Sequence, residues 1–218
     1  MCGRYTLTVD PETLKKRFHI EHFNMEYKPR YNIAPGQNIP VIGERDNQRS
    51  VFPMRWGLIP RWAKDSSLSY KMINARAETI KAKPAFKNSF KSRRCLIPAD
   101  SFYEWKNENG GKQPYRITLK DKDEFAFAGV WDLWISPNNE NVYSCSIITT
   151  KANSFMEDLH QRMPVIITGD EQQRKWLATQ ADELEELLLP YEGDMSCYPV
   201  DKLVNSPKND MPQCIERI

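Results

Sequence analysis

Short β-rich runs separated by turn residues fill the middle of the chain and restrict its fold more than any other feature. Between Ile39 and about Trp131 the runs are Pro40–Ile42, Val51–Phe52, Cys95–Ile97, Phe102–Trp105, Tyr115–Leu119 and Phe125–Ala128. Runs of this length and composition, bounded by Gly, Pro, Asn and Asp, are typical of antiparallel strands. The Asn109-Gly110 dipeptide predicts a hairpin turn, because tight turns with positive φ favour that pair.

Helical patterns lie mainly outside this strand-rich region. Asp10-Pro11-Glu12 has the order of an N-cap, a first-turn proline and an acidic first turn, and Leu14 and Phe18 follow at helical spacing. Further strands are predicted at 142–149 and 164–168, and helices after Asp170 and at 182–188. The regular βαβ alternation of a doubly wound sheet is missing. We therefore expect an α+β fold with a curved, barrel-like antiparallel sheet core and flanking short helices.

Length and composition predict one domain over residues 1–218. A chain of 218 residues with 40% hydrophobic content can bury a sizeable core, and its 15 prolines and 9 glycines are spread rather than gathered in a linker. The net charge of +2 gives only weak support for an anionic partner, so a nucleic-acid surface would have to come from local clusters.

The cysteine pattern excludes two small-protein classes. Five cysteines far apart, with no Cys-x-x-Cys pair, indicate neither a disulfide scaffold nor a zinc module, and His19 and His22 lack a third ligand. No apolar run is long enough for a membrane span. We expect no metal, no cofactor and no membrane partner, and a location in the cytoplasm with the nucleoid.

Cys2 becomes a reactive residue if Met1 is removed, because it would then carry a free amine and a thiol together. An α-amine has a pKa of about 7.7 to 8, so roughly a third of it is neutral and nucleophilic near pH 7.5. It can condense with an aldehyde to an imine, after which the sulfur closes a five-membered thiazolidine. Position alone favours the plainer interpretation, an ordinary small residue after Met1.

Glu104 and His160 are the candidates for moving protons in such a reaction. Glu104 lies among three aromatic residues, which would raise its pKa if the strand is buried, whereas simple alternation would put it on a wet strand face. His160 lies between a helical turn and a strand, where loops often carry function. Its alternative is a histidine that satisfies helix-terminal carbonyls.

Two stretches combine features of a DNA surface. The segment 55–64 alternates Trp56 and Trp62 with three cations, and aromatic stacking contributes about 1 to 3 kcal/mol per base in single-strand binding. The segment 81–94 carries six basic residues and no acidic one, a charge excess that could follow phosphates. The alternative for 81–94 is a solvated helix face with Phe86 and Phe90 turned to the core.

An ordered set of short motifs resembles one protein family along the whole chain. The matching segments are Met1–Tyr5, Arg30–Gly36, Trp56–Pro60, Ile73–Thr79, Cys95–Ala99, Phe102–Trp105, His160–Pro164 and Asn205–Asp210. Together they resemble the SOS-response-associated peptidase (SRAP) family of abasic-site processing proteins. Each motif alone is weak, but the ordered set is highly specific.

The resemblance implies a protein that binds abasic sites in single-stranded DNA, including single-/double-strand junctions, and forms a thiazolidine crosslink that shields the lesion. It implies the nucleophile at Cys2, an orienting asparagine at Asn74, the acid/base carboxylate at Glu104 and a histidine at His160. The implied DNA contacts are Arg4, Arg76 and Arg162 on the backbone, Trp105 and Thr149 beside the strand, and Trp56 and Trp62 at the junction. We expect a monomer.

The residues alone leave more than one activity open. A crosslinking enzyme could also cleave strands as a lyase by β-elimination from the imine. The alternative is a cysteine or N-terminal-nucleophile peptidase or amidase, with Cys2 as nucleophile and His160 as base. The family name fits removal of Met1 by the protein itself. A third possibility is a DNA-binding module without chemistry.

Overall fold

The β-rich runs form the strands of two sheets in the computed structural model, which describes residues 2–108, 110–121, 124–178 and 183–218. The strands are β1 (Tyr5–Leu7), β2 (Ile20–Phe23), β3 (Arg30–Ile33), β4 (Asn38–Arg45), β5 (Gln48–Trp56), β6 (Asn74–Arg76), β7 (Arg94–Ala99), β8 (Ser101–Glu108), β9 (Gly111–Leu119), β10 (Phe125–Ile135), β11 (Asn141–Lys151), β12 (Arg162–Pro164), β13 (Ile166–Ile167) and β14 (Met195–Pro199). The α-helices are α1 (Pro11–Phe18), α2 (Lys87–Ser92), α3 (Ser154–Glu157) and α4 (Asp170–Ala178). Short 3-10 turns cover Ser66–Lys71, Ala77–Thr79, Glu185–Leu188, Lys202–Asn205 and Pro212–Ile215.

The larger sheet closes on itself as a barrel. Strands β11, β10, β7, β4 and β5 pair in that order along antiparallel ladders, and the end of β5 pairs in parallel with β11 to complete the ring. Strand β6 continues along β11 beyond the end of β5, also in parallel, and β12 pairs with the last residues of β11. The predicted α+β fold with a barrel-like antiparallel core is confirmed.

The smaller sheet has the order β14-β9-β8-β1-β3 and holds the first strand of the chain beside β8. An aromatic cluster packs it against the barrel. Tyr5 of β1 makes edge-to-face contacts with Trp56 of β5 and Phe127 of β10, at ring-centroid distances of 5.4 and 5.6 Å, and Phe102 of β8 contacts Phe127. Such pairs stabilise beyond their buried area. They fix the start of the chain against the barrel wall.

The helix at the start of the chain follows its sequence signals. The Asp10 side chain accepts hydrogen bonds from the backbone N–H groups of Glu12 and Thr13, Pro11 is the first helical residue, and Leu14 and Phe18 are buried. Later, α4 begins at Asp170 itself and buries Trp176. Of the helix predicted at 182–188, the described residues form only the turn Glu185–Leu188, and residue 182 lies outside them.

The predicted hairpin is confirmed by strand pairing, because β8 and β9 run antiparallel from Phe102 opposite Ile117 to Glu108 opposite Gly111. Asn109 lies outside the described residues. Gly110 has φ +77°, the left-handed backbone that the sequence predicted for this turn.

Part of the basic segment 81–94 forms α2, with Phe86 and Phe90 buried as in the alternative interpretation. Arg93 pairs with Asp132, and Arg94 donates to the carbonyls of Phe90, Lys91 and Trp176. These two arginines therefore hold the fold. Lys83, Lys87 and Lys91 are exposed.

Within the part of the chain that the structure describes, no helix is both long and apolar enough to span a bilayer.

Candidate active site

Cys2 lies fully buried just before β1. Its carbonyl oxygen accepts a hydrogen bond of 2.9 Å from Nδ2 of Asn74, and its sulfur lies 4.0 Å from the carbonyl oxygen of Arg4. Burial, followed by the negative charge of Glu104, raises the pKa of the Cys2 thiol. The thiol is therefore neutral near pH 7. Met1 lies outside the described residues.

Asn74 is the first residue of β6, where the parallel ladder places it opposite Ile147 of β11. Its amide donates to Cys2, while its buried Oδ1 accepts no hydrogen bond within the described residues. A buried acceptor without a partner is costly. Asn74 can therefore orient Cys2 with one end of its amide and accept a hydrogen bond from a bound group with the other.

Glu104 comes from β8, which pairs with β1 on the side of the chain start. The residue is only 4% exposed. Burial raises the pKa of the Glu104 carboxyl from 4.5 to about 7. The pairing of Tyr5 with Phe102 and the hydrogen bond from the Tyr103 N–H to the Arg4 carbonyl oxygen bring this part of β8 beside the start of the chain. Together with burial, the negative charge of Glu104 there raises the pKa of the Cys2 thiol. Near pH 7 about half of such a carboxyl carries a proton, the condition that suits a group that both gives and takes one.

His160 follows α3 and precedes β12. Its Nδ1 accepts a 2.9 Å hydrogen bond from the backbone N–H of Arg162. The same Nδ1 lies 3.2 Å from the backbone oxygen of Arg162, and the shorter of the two contacts favours the tautomer with the proton on Nε2. Burial lowers the pKa of the His160 ring, so the ring is neutral near pH 7. In this tautomer His160 offers an N–H donor at Nε2 rather than a general base.

Strand β11 brings the two halves of the site together. Thr149 of β11 lies opposite Arg76 of β6 on one edge and opposite Pro164 of β12 on the other. The segment that carries Asn74 and the segment that follows His160 therefore flank the same strand.

Arg76 and Arg162 lie on these flanking strands. Arg76 is exposed at the end of β6. Arg162 is mostly buried, and its guanidinium donates to both carboxylate oxygens of Glu78 and to the backbone oxygen of Thr149. Glu78 was missed by sequence reasoning. Its only signal was its position in the motif Ile73–Thr79.

Arg4 binds the C-terminal strap, the name used here for residues 201–214. Its Nη1 donates to Oδ1 of Asn32 and to the carbonyl oxygen of Val204, and its guanidinium lies 5.7 Å from the ring centroid of Trp105. The predicted role of Arg4 in contacting DNA stays a prediction, because in this conformation the guanidinium holds the strap.

Trp105 is half-buried, and its indole N–H donates to Oδ1 of Asn205 on the strap at 2.7 Å. The strap therefore fixes the plane of this ring. Asn205 is a second residue that sequence reasoning missed, although it begins the closing motif Asn205–Asp210.

Two predicted DNA contacts need correction. Trp56 is fully buried in the aromatic cluster, and its indole N–H donates to the carbonyl oxygen of Ile73, so it is a core residue and offers no surface to a base. Thr149 is also fully buried, and its Oγ1 accepts a hydrogen bond from Arg162. Thr149 would therefore act on a DNA strand indirectly, by holding the Arg162 guanidinium.

Trp62 agrees with a surface role, since it is 58% exposed. Its loop starts at Gly57. Only glycine fits this position, because the backbone φ is +125° and a Cβ would lie 2.7 Å from the Ser69 carbonyl oxygen. Asp132 accepts hydrogen bonds from the backbone N–H and the guanidinium of Arg61, which anchors the loop beside the tryptophan.

Among the described residues, no group of three or more His, Cys, Asp and Glu side chains is arranged to hold a metal ion.

Relatives of known name cover the whole chain. It is 50% identical to the abasic site processing protein YoqW of Bacillus subtilis (strain 168), over 99% of both chains. It is 33% identical to the abasic site processing protein HMCES of Xenopus tropicalis, over 100% of this chain and 78% of the relative.

Solved structures share the architecture. A crystal structure of a protein from Bacteroides thetaiotaomicron is 28% identical, with a TM-score of 0.89 over 100% of both chains. One from Bordetella bronchiseptica, also 28% identical, has a TM-score of 0.81 over 92% of this chain and 100% of that one. The profile of the SOS response associated peptidase (SRAP) family matches residues 1–207, and the chain therefore belongs to that family.

Proposed function

We propose that this protein processes abasic sites in single-stranded DNA by forming a thiazolidine with the ring-opened sugar aldehyde through Cys2. The observation that carries the proposal is the buried Glu104 carboxyl beside a Cys2 whose carbonyl is bound by Asn74. The names of the relatives support abasic sites as the substrate. The partner is DNA at single strands and their junctions, and the protein acts as a monomer in the cytoplasm, with the nucleoid.

The first step needs an amine that is free after Met1 is removed. The nitrogen attacks the aldehyde carbon, and one of its protons moves to the carbonyl oxygen to give a neutral carbinolamine. Protonated Glu104 then donates its proton to the departing hydroxyl, and water leaves as the protonated imine forms. The N–H of His160 on Nε2 is suited to hold the sugar oxygen during these steps.

The second step closes the ring. The sulfur of Cys2 adds to the carbon of the protonated imine as the thiol proton passes to the Glu104 carboxylate. The C=N electron pair returns to the nitrogen, which already carries its proton, and the products are the neutral thiazolidine and protonated Glu104. A base is needed because burial keeps the thiol protonated. Interception of the imine by β-elimination before closure would give the lyase side reaction.

The same thiol argues against the peptidase or amidase alternative as the main activity. A cysteine that attacks amides in multiple turnovers depends on a lowered pKa or an adjacent base. Here both burial and Glu104 raise the pKa of Cys2, and the base that this alternative requires, His160, already accepts a hydrogen bond at Nδ1 from the backbone N–H of Arg162. We keep the peptidase reaction for the single removal of Met1, with Cys2 and Glu104 beside the bond that is cut.

The phosphate backbone is bound by Arg76, Arg162 and, if the strap yields, Arg4. Bases stack on Trp105 and, at the junction, on Trp62. Both rings are accessible at least in part, and every base offers a π-face to an aromatic ring.

Mature protein mixed with a single-stranded oligonucleotide that carries one abasic site tests the proposal. Wild type should give a heat-stable shifted band on a denaturing gel. Cys2→Ala should give none, and Cys2→Ser, which keeps the amine, should give an adduct only after borohydride traps the imine. Cys197→Ser, at a half-buried cysteine of β14, is the matched control and should crosslink like wild type.

The absence of a wild-type band, or a stable band from Cys2→Ala, would contradict the proposal. Acetylation of the amino terminus should abolish the adduct, and mass spectrometry of the intact protein would verify that Met1 is gone.

A further inference from the structure

The guanidinium of Arg162 is already occupied by an anionic side chain. Its Nη1 donates to one carboxylate oxygen of Glu78 at 2.6 Å, and its Nη2 donates to the other at 3.0 Å. This two-bond fork is also the geometry in which arginine binds the oxygens of a phosphate. Glu78 therefore fills the position that a DNA phosphate would need.

The two hydrogen-bond partners of the Arg162 guanidinium differ in how exposed they are. On the protein side, Nη2 also donates to the backbone oxygen of Thr149 at 2.7 Å, and the Arg162 side chain is 15% exposed. On the solvent side, the Glu78 side chain is 39% exposed, in the middle of a short 3-10 turn, Ala77–Thr79. Of the two partners, Glu78 is the one that can swing away.

The other two-donor edge of the Arg162 guanidinium includes Nε and gives no second binding face. Its Nε is buried and makes no hydrogen bond within the part of the chain that the structure describes. A phosphate that binds two donors of this guanidinium must therefore take the Nη1 and Nη2 positions that Glu78 holds. The hydrogen bond from Arg162 also lowers the pKa of Glu78, so the competing carboxylate is charged at neutral pH.

We propose that Glu78 is an internal competitor for the DNA phosphate at Arg162 and must be displaced when a single strand binds. The inference rests on the proposed binding of single-stranded DNA and adds a residue that sets its strength. Displacing Glu78 costs one ion pair and leaves an unpaired carboxylate near the strand. The protein consequently binds single strands more weakly, and with less dependence on salt, than its arginines alone would allow.

Glu78→Gln tests this competition, because it removes the charge and keeps the shape of the side chain. We expect binding of an undamaged single-stranded oligonucleotide to tighten by about twofold to fivefold, the range for one partly exposed ion pair that no longer has to break. The slope of log affinity against log salt should steepen by up to about 0.7, the value for one phosphate contact on a single strand. Fluorescence anisotropy at several salt concentrations measures both.

Glu12→Gln is the matched control, since it removes the same charge from an ion pair of 2.7 Å with Lys15 on α1. It should change affinity and slope much less than Glu78→Gln. In an Arg162→Gln background, Glu78→Gln should give no more gain than Glu12→Gln does. Thermal melting of each variant identifies loss of fold, and Glu78→Ala provides a second neutral variant.

The outcomes separate this inference from the proposed function. If wild type binds the oligonucleotide and Glu78→Gln behaves like Glu12→Gln, or if folded Glu78→Gln and Glu78→Ala bind more weakly, Glu78 is a support for Arg162 and the competition is excluded. If wild type does not bind single strands at all, the proposed function itself fails.

Discussion

At the scale of single residues, the chemistry depends on where one proton resides. The carboxyl of Glu104 has its pKa raised to about 7 by burial, and a free α-amine has a pKa of about 7.7 to 8. The proposed reaction needs the protonated carboxyl and the neutral amine together. These two forms coexist best in a narrow interval of pH between the two values.

Glu104→Gln should slow crosslinking by about 100-fold or more, because the amide keeps the shape but cannot transfer a proton. Wild-type rates should rise as the amine loses its proton and fall as Glu104 loses its own, which gives a bell-shaped profile with its maximum between pH 7 and 8. The variant should lose the alkaline fall. Gel-based crosslinking rates from pH 5.5 to 9.5 measure the profile.

Glu108→Gln, near the far end of β8, is the control and should keep the wild-type profile. Stability gives an independent check. Because the folded protein holds the proton of Glu104 more tightly than the unfolded chain, its free energy of unfolding should fall as pH rises from about 4.5 to about 7. Glu104→Gln should remove that part of the slope, and an unchanged slope would contradict the pKa assignment.

At the scale of elements, the barrel closes over a short seam. Strand β5 meets β11 through two residue pairs, Ser144 with Arg55 and Cys145 with Trp56. By contrast, β4 and β5 share eight pairs. Strand β6, which carries Asn74, extends the same seam along β11. The site is therefore built beside one of the short pairings of the ring.

Amide hydrogen exchange should reveal this seam. The N–H of Gly57, which donates to Cys145, and the N–H of Ile147, which donates to Ile73, should exchange faster than ladder amides within β4 and β5, because a short ladder opens at lower free energy. Exchange followed by mass spectrometry measures the difference. Equal protection in both regions would show that the ring opens only as a whole.

Much of this element pattern could be predicted from sequence because the signals are local. The cap at Asp10 and the hairpin at Gly110 depend on residues within a few positions. Trp56 was wrongly predicted to face DNA, since composition shows an aromatic residue among cations but not which way its ring points. The partner of its indole, Ile73, lies 17 residues away.

The geometry of the site lay beyond prediction for the same reason. The ion pair of Arg162 with Glu78 joins residues 84 positions apart, and the contact of Arg4 with Val204 spans 200. Only the folded chain brings such groups together. The family motifs indicated which residues matter, but not that Arg162 is already paired.

At the scale of the whole molecule, the C-terminal strap is hydrogen-bonded to β3 of the smaller sheet. The amide of fully buried Asn32 donates to the carbonyl oxygens of Val204, Ser206 and Asn209. The carboxylate of Asp210 accepts from the backbone N–H groups of Tyr31 and Asn32. The strap in turn positions Arg4 and Trp105 beside the proposed DNA path.

Asn32→Ala should lower the free energy of unfolding by about 3 kcal/mol, because several buried carbonyls and the Arg4 guanidinium lose their partner. The strap should also be cut sooner by protease, and single-strand affinity should fall as Trp105 loses its fixed orientation. Urea denaturation and limited proteolysis measure these effects. Asn88→Ala, at an exposed position of α2, should change neither the free energy of unfolding nor the rate of proteolysis. A decrease of less than about 1 kcal/mol in the free energy of unfolding for Asn32→Ala would contradict the role of the strap.

The enclosed thiol of Cys2 also bears on how long the protein stays usable. Oxidants attack the thiolate, and they attack accessible sulfur first, whereas this sulfur is covered and holds its proton tightly. In the proposed reaction each molecule reacts only once through Cys2, so oxidation of that sulfur to a sulfenic acid beforehand would inactivate the molecule. Burial thus slows ring closure by the thiol but protects the thiol from oxidation until an abasic site binds.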